Sequence, residues 1–196
     1  MNMPIRGWNE CLITYALAAS YGVPAIVYTS GWAGSAGFIN GGTYHGIQLP
    51  LGPAFGGPLF FSHYSFLGID PNGLTDTYAN YATQTRNHTL INYNACKANV
   101  RGYFGYSDSV WGLTASDIPG GYAASSPTND LGVIAPTAAL SSLPYTPAES
   151  MAALKFYYYV LGDKLWKQYG FVDAFSLHDV WFANSFLAID QGPIIV

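Results

Sequence analysis

From Gly7 to Tyr21 apolar residues occupy nearly every position, with Glu10 the conspicuous exception. A segment apolar on all faces predicts a helix enclosed by others rather than one lying at a surface. Residues 29 to 62 lose that regularity and fill with Gly, Pro, Ser and aromatics, which predicts a long, irregular loop. From Leu74 to Asn99 the chain is free of Pro and Gly, with apolar residues at 74, 78, 81, 82, 90, 91, 93, 95 and 96. That spacing predicts a helix, and it allows a break near Thr85. Ser107 or Asp108 can cap a short helix running into Trp111, after which Ile118-Pro119-Gly120-Gly121-Tyr122 must turn. Ile134 to Ser142 is a further helix candidate. Thr146-Pro147-Ala148-Glu149 has the form of a helix start, with Thr as N-cap, Pro at the first position and Glu reaching back. That helix ends near Gly162, and a shorter one from Asp163 to Tyr169 stops at Gly170. Gly192-Pro193 reads as the opening of a final apolar helix, so the chain is expected to be part of a longer protein. No good hairpin signal and no internal repeat is visible, and the fold class expected is all-α with long loops.

A chain of 196 residues suffices for one domain. Its charged fraction is 9%, against roughly 25% in ordinary soluble domains, while 16% of residues are aromatic. Ring faces and phenolic hydroxyls suit a ligand with both apolar faces and many hydroxyls, as sugars have. The seven Lys and Arg are scattered and the formal net charge is -4, which excludes a basic stripe for nucleic acid. The longest apolar run, Cys11 to Tyr28, is interrupted by Thr14, Ser20, Gly22 and Pro24, so no membrane span is expected. Cys11 and Cys96 both lie in apolar helical patterns and read as buried thiols. The histidines at 45, 63, 88 and 178 lack metal-ligand spacing, so neither metal nor cofactor is expected. Asn87-His88-Thr89 fits the glycosylation pattern by accident of a helical stretch.

Hydrolysis of a glycosidic bond needs two carboxyl groups, one protonated and one ionised. Of eleven acidic residues, Glu149, Asp163 and Asp76 have the positions of helix-start carboxylates, and Asp179 that of a solvated turn. Four remain as candidate catalytic groups: Glu10, Asp173, Asp117 and Asp190. Glu10 is either a helix N-terminal carboxylate or a general acid in apolar surroundings. Asp173 sits between Phe171-Val172 and Ala174-Phe175, where an idle charge would be costly. Asp117 fits an Asx turn equally well, and Asp190 a helix cap. Trp8, Trp32, His63, Tyr64, Trp111 and Tyr122 are candidates for contacting sugar, each with core packing as the competing reading.

Seven pieces in order carry a family resemblance: Trp8-Asn9-Glu10, His63 to Pro71, Asn87 to Asn92, Trp111-Gly112-Leu113-Thr114-Ala115-Ser116-Asp117, Asn129 to Leu140, Gly170 to Phe175, and Ala188 to Pro193. Together they resemble the glycoamylase-like domain of bacterial endo-β-1,2-glucanases, also found in cyclic β-1,2-glucan synthases. The resemblance implies an (α/α)6 toroid of which residues 1–196 are an incomplete C-terminal part. It implies hydrolysis of β-1,2-glucan, by inversion, with Glu10 of the Asn-Glu pair in a catalytic role and the second carboxylate in these residues or in the earlier helices. Transglycosylation and non-catalytic carbohydrate binding are the alternatives. A glucan is the partner implied, and the location is periplasmic or secreted, although no leader pattern precedes Trp8. Tyr106-Ser107-Asp108-Ser109 and Ile118-Pro119-Gly120 depart from the family pattern, which bears on subsite specificity.

Overall fold

The computed structural model describes residues 5, 7–33 and 39–196, excluding the side chains of 32 and 33. Helices dominate: α1 (Leu12–Ser20), α2 (Ala25–Ala33), α3 (Phe60–Ser65), α4 (Tyr81–Ala98), α5 (Pro136–Ser141), α6 (Pro147–Lys155), α7 (Gly162–Leu165) and α8 (Ala188–Ile195). Against the all-α expectation, the described residues also form four two-stranded antiparallel sheets. These are β1 (Ile39–Tyr44) with β2 (Ile47–Leu51), β3 (Ala115–Ile118) with β4 (Gly121–Ala124), β5 (Trp166–Lys167) with β6 (Gly170–Phe171), and β7 (Phe175–Ser176) with β8 (Trp181–Phe182). The first hairpin falls in the segment expected to be loop. Its two-residue turn, His45-Gly46, has both φ angles positive (51° and 76°), the geometry that matches strand twist. The β3–β4 turn lies where Pro119-Gly120 requires it, with Gly120 at φ 80°.

Helix α4 starts later than the apolar pattern suggests because Asp76 organises residues 74–80 as a turn. Its Oδ1 accepts the backbone N–H of Tyr78 at 2.7 Å and of Ala79 at 3.0 Å, and its Oδ2 the hydroxyls of Tyr81 (2.7 Å) and Tyr28. Asp76 is therefore not a first-turn helix carboxylate. Asn80 caps α4 by accepting Thr83 N–H at 2.9 Å, and Asn99 closes it in the left-handed region. No break occurs at Thr85. In α1 only Leu12 is buried, while Ile13 and Leu17 are exposed, so within this chain the helix is not enclosed. No helix forms before Trp111; Ser107 and Val110 pair as a tight turn instead. Thr146 does precede Pro147 at the start of α6, but its hydroxyl makes no cap bond and meets Ser142 O and Ser150 Oγ, each at 3.3 Å. After α6 the chain continues through a short π-helix, Phe156–Val160, into α7, and the Asp163–Tyr169 helix gives way to β5. Helix α8 begins before Pro193 and runs through it.

The main core gathers on Trp111, Leu113, Ile134, Tyr157 and Phe175. Hydrogen bonds lock the Trp111–Thr114 segment into it. Tyr157 Oη donates to Trp111 O (2.7 Å) and accepts from Trp111 N (3.1 Å), while the Asn92 amide clamps both backbone groups of Leu113 at 3.0 Å. Gly112 lies between them at φ 124°, and a Cβ there would stand 2.8 Å from Ala135 O. Gly112→Ala is expected to cost about 2 to 4 kcal/mol, combining backbone strain with a contact that backbone cannot yield. Urea melts of the two proteins check it. An unchanged midpoint would mean the segment is freer than its hydrogen bonds imply.

Candidate active site

The locked segment delivers hairpin β3–β4, in which Asp117 pairs with Tyr122. The Asp117 N–H donates to Asp173 Oδ2 at 2.6 Å, and the Asp117 carboxylate accepts the Ser185 hydroxyl. Asp173 N–H in turn donates to Ser185 O at 3.0 Å, tying together three stretches distant in sequence. Asp190, in the first turn of α8, accepts the Tyr64 hydroxyl from α3 at 2.5 Å. Leu187 holds the cap position of that helix, so Asp190 is free to point at the cluster rather than cap. Next to Tyr64, Ser65 Oγ accepts the Glu10 N–H at 2.9 Å and donates to Phe61 O. Glu10 has φ 58°, a left-handed conformation uncommon outside glycine, and its side chain is exposed. The apolar surroundings expected for it are therefore not supplied by this chain.

Asp173 is 0% and Asp190 6% exposed. Desolvation pushes the Asp173 carboxyl up to about 7; the Asp117 N–H opposes this, and the charges of Asp190 and Asp117 add to it. Asp190 is also raised by desolvation, restrained by hydrogen bonds from Tyr64 and Asp173. The Tyr64 phenol is raised by burial and then by Asp190, and the charge of Glu10 also reaches it. Tyr122 is 57% exposed; burial of its remainder and then the charges of Asp190, Asp173 and Asp117 raise its phenol. An exposed phenol thus stands within electrostatic reach of a buried acid pair.

Glu10, Asp117, Asp173, Asp190, Tyr64 and Tyr122 are brought together. Three other residues read from the sequence as sugar contacts are core. Trp111 is 0% exposed, with Tyr93 edge-on against it, so it offers no platform face. Trp8 is fully buried between Phe66 and Tyr81, each 6.2 Å away by ring centre. His63 is buried with Nε2 2.9 Å from Ser142 Oγ; burial, and then His88, lowers it to about 3 and keeps it neutral. The Trp32 side chain lies outside the described residues. Asp173 is present in the cluster but too deep to touch a sugar. Ser185 and Ser65 also belong to the cluster and were not singled out from the sequence, although Ser65 lies within the His63 to Pro71 piece. A cleft of about 450 Å3 lined by His63, Asp70, Arg86, Tyr145 and Pro193 contains none of the four candidate acids. Cys96 is a buried thiol and Cys11 a half-buried one. Among the described residues no group of three His, Cys, Asp or Glu is placed to hold a metal, and no helix is long and apolar enough to cross a membrane.

On a helix-rich scaffold the chain thus holds an exposed glutamate and an exposed tyrosine near a buried carboxyl pair. The Glycoamylase family model, described as "Putative glucoamylase", matches residues 2–196, and the chain belongs to that family. A solved structure from Bacteroides uniformis bearing the same description is 57% identical, with a TM-score of 0.94 over 98% of this chain and 48% of that one. An endo-β-1,2-glucanase from Chitinophaga pinensis, solved with sophorotriose and glucose, is 50% identical with a TM-score of 0.93, over 100% of this chain and 49% of that one. An exo β-1,2-glucooligosaccharide sophorohydrolase (non-reducing end) from Parabacteroides distasonis is 43% identical over 218 residues, 100% of this chain and 30% of its own length. The chain thus spans about half the length of these solved relatives and less than a third of the curated one.

Proposed function

We propose that the chain is the C-terminal part of a glycoside hydrolase domain that cleaves β-1,2-glucan, with endo action and inversion. The observation that carries this reading is the meeting of Glu10, Tyr64, Asp190, Asp117 and Tyr122 at one place, in a chain 50% identical to a β-1,2-glucanase solved with sophorotriose. Glu10 is the proton donor, acting directly or through a relay, and Asp190 is the ionised carboxylate that activates water. The helices form part of an (α/α)6 toroid, which would cover the exposed apolar faces of α1 with the remaining helices. The protein acts in the periplasm or outside the cell.

Incubating the full-length protein with β-1,2-, β-1,3-, β-1,4- and α-linked glucans tests the substrate. Selective release of sophoro-oligosaccharides from β-1,2-glucan supports the reading. Cleavage of another linkage instead would reject it, and larger or cyclic products would mark transfer rather than hydrolysis. Tyr122→Ala is expected to raise KM about 3- to 10-fold with kcat largely kept, the loss of one ring contact worth about 0.5 to 1.5 kcal/mol. Unchanged KM on oligosaccharides would remove Tyr122 from the binding surface.

A further inference from the structure

Asp173 has no surface open to a sugar, yet it is built into the cluster from two sides. Its Oδ2 accepts the Asp117 N–H. Its Oδ1 meets no donor, and neither does Asp190 Oδ2, whose sister oxygen accepts the Tyr64 hydroxyl. Each carboxyl acts on the other at close range, raising Asp173 and restraining Asp190, as a hydrogen bond between them would. Ionised carboxylates only accept, so such a bond requires that one of the pair carry a proton, and a single O–H between the two orphaned oxygens satisfies both. The geometry points to Asp173 and Asp190 sharing one proton, carried on Asp173 Oδ1 and donated to Asp190 Oδ2, which makes Asp173 a positioning residue that keeps Asp190 ionised and oriented. This rests on the reading of Asp190 as the ionised carboxylate of the hydrolase.

The direction of the bond follows from the surroundings. Asp190 has a second donor, the Tyr64 hydroxyl of α3, and slight exposure, so it is the better place for the negative charge. Asp173 has only a backbone N–H and faces the charges of Asp117 on β3 and Asp190 on α8. Among the described residues, Tyr122 on β4 and, beyond Tyr64, Glu10 are the further titratable groups felt around the pair, and all are neutral or acidic. None of these favours two charges side by side. Above about pH 7 the proton leaves for solvent, Asp190 keeps only the Tyr64 hydroxyl as donor, and two carboxylates face each other.

Asparagine at 173 imitates the protonated acid at every pH: its carbonyl can accept the Asp117 N–H while its amide N–H donates to Asp190 Oδ2. Full-length wild type, Asp173→Asn, Asp173→Ala and Asp190→Asn are compared for kcat against pH on β-1,2-glucan oligosaccharides, and for melting temperature against pH. Asp173→Asn is expected to keep turnover within about tenfold of wild type, whereas Asp173→Ala falls about 100-fold or more; the alkaline limb set by the general acid Glu10 stays in both. The folded-state pKa lies above the unfolded value, so stability held by the proton is full at low pH and is lost as pH rises through about 7. The melting temperature of Asp173→Asn relative to wild type should therefore climb by several degrees from about pH 4 to about pH 8. Turnover in Asp173→Asn as low as in Asp190→Asn or Asp173→Ala overturns the positioning role. A difference in melting temperature that is flat with pH overturns the shared proton. Full turnover in Asp190→Asn overturns the hydrolase reading of Asp190, and the melting comparison then decides the shared proton by itself.

Discussion

Replacing Glu10 with Gln in the full-length protein removes about 100- to 10,000-fold of turnover while leaving the melting temperature close to wild type. The amide keeps the shape of the side chain but has no proton to give a leaving oxygen. The fold is expected to tolerate the change because the side chain is exposed and the local structure is held by main chain, through the Glu10 N–H on Ser65 Oγ. Its left-handed backbone sharpens the argument. A non-glycine residue at φ 58° carries roughly 1 to 3 kcal/mol of strain, and such strain persists where the surrounding structure insists on it. Glu10→Gly should accordingly gain stability while losing turnover, the opposite signs expected of a residue kept for chemistry. Near wild-type turnover in Glu10→Gln, measured by reducing-sugar release, would show that Glu10 is not the acid. Loss of turnover together with a collapsed melting curve would assign it a structural role instead.

Trp111→Ala is expected to cost about 3 to 5 kcal/mol, a large part of the stability of any single domain. The ring is fully buried, Tyr93 lies edge-on to it at 5.5 Å, and its backbone is bonded on both sides to the Tyr157 hydroxyl. Removing the indole therefore leaves a cavity beside an immobile backbone, the situation in which collapse relieves least. The same segment carries Asp117, so a partly folded variant should lose turnover through disorder of β3 rather than through lost sugar contact. Denaturant melts combined with oligosaccharide affinity of the folded fraction separate the two. Weakened affinity for long glucans with stability intact would restore the platform reading.

Local chemistry was legible wherever a residue type permits few conformations. Pro147 opens a helix, Pro119-Gly120 turns a hairpin, and the Pro- and Gly-free stretch ending at Asn99 is helical, because these residues restrict φ directly. The burial of Asp173 with a partner was also legible, since a carboxylate among apolar neighbours has to find one somewhere. Strands of two to six residues were not, because so short an alternation carries almost no periodic signal and their pairing rests on turns such as His45-Gly46. Nor could the sequence say which aromatic faces solvent. Trp111 and Tyr122 flank the same aspartate, and the chemistry that suits a ring to a sugar suits it equally to a core; only packing put one at 0% and the other at 57% exposure. The same holds for Asp173. Its apolar neighbours in sequence announce burial, but that it lies behind Asp117 and against Asp190, and so holds a proton rather than touching a sugar, depends on three segments meeting in space, because burial and neighbouring charge are properties of the folded chain.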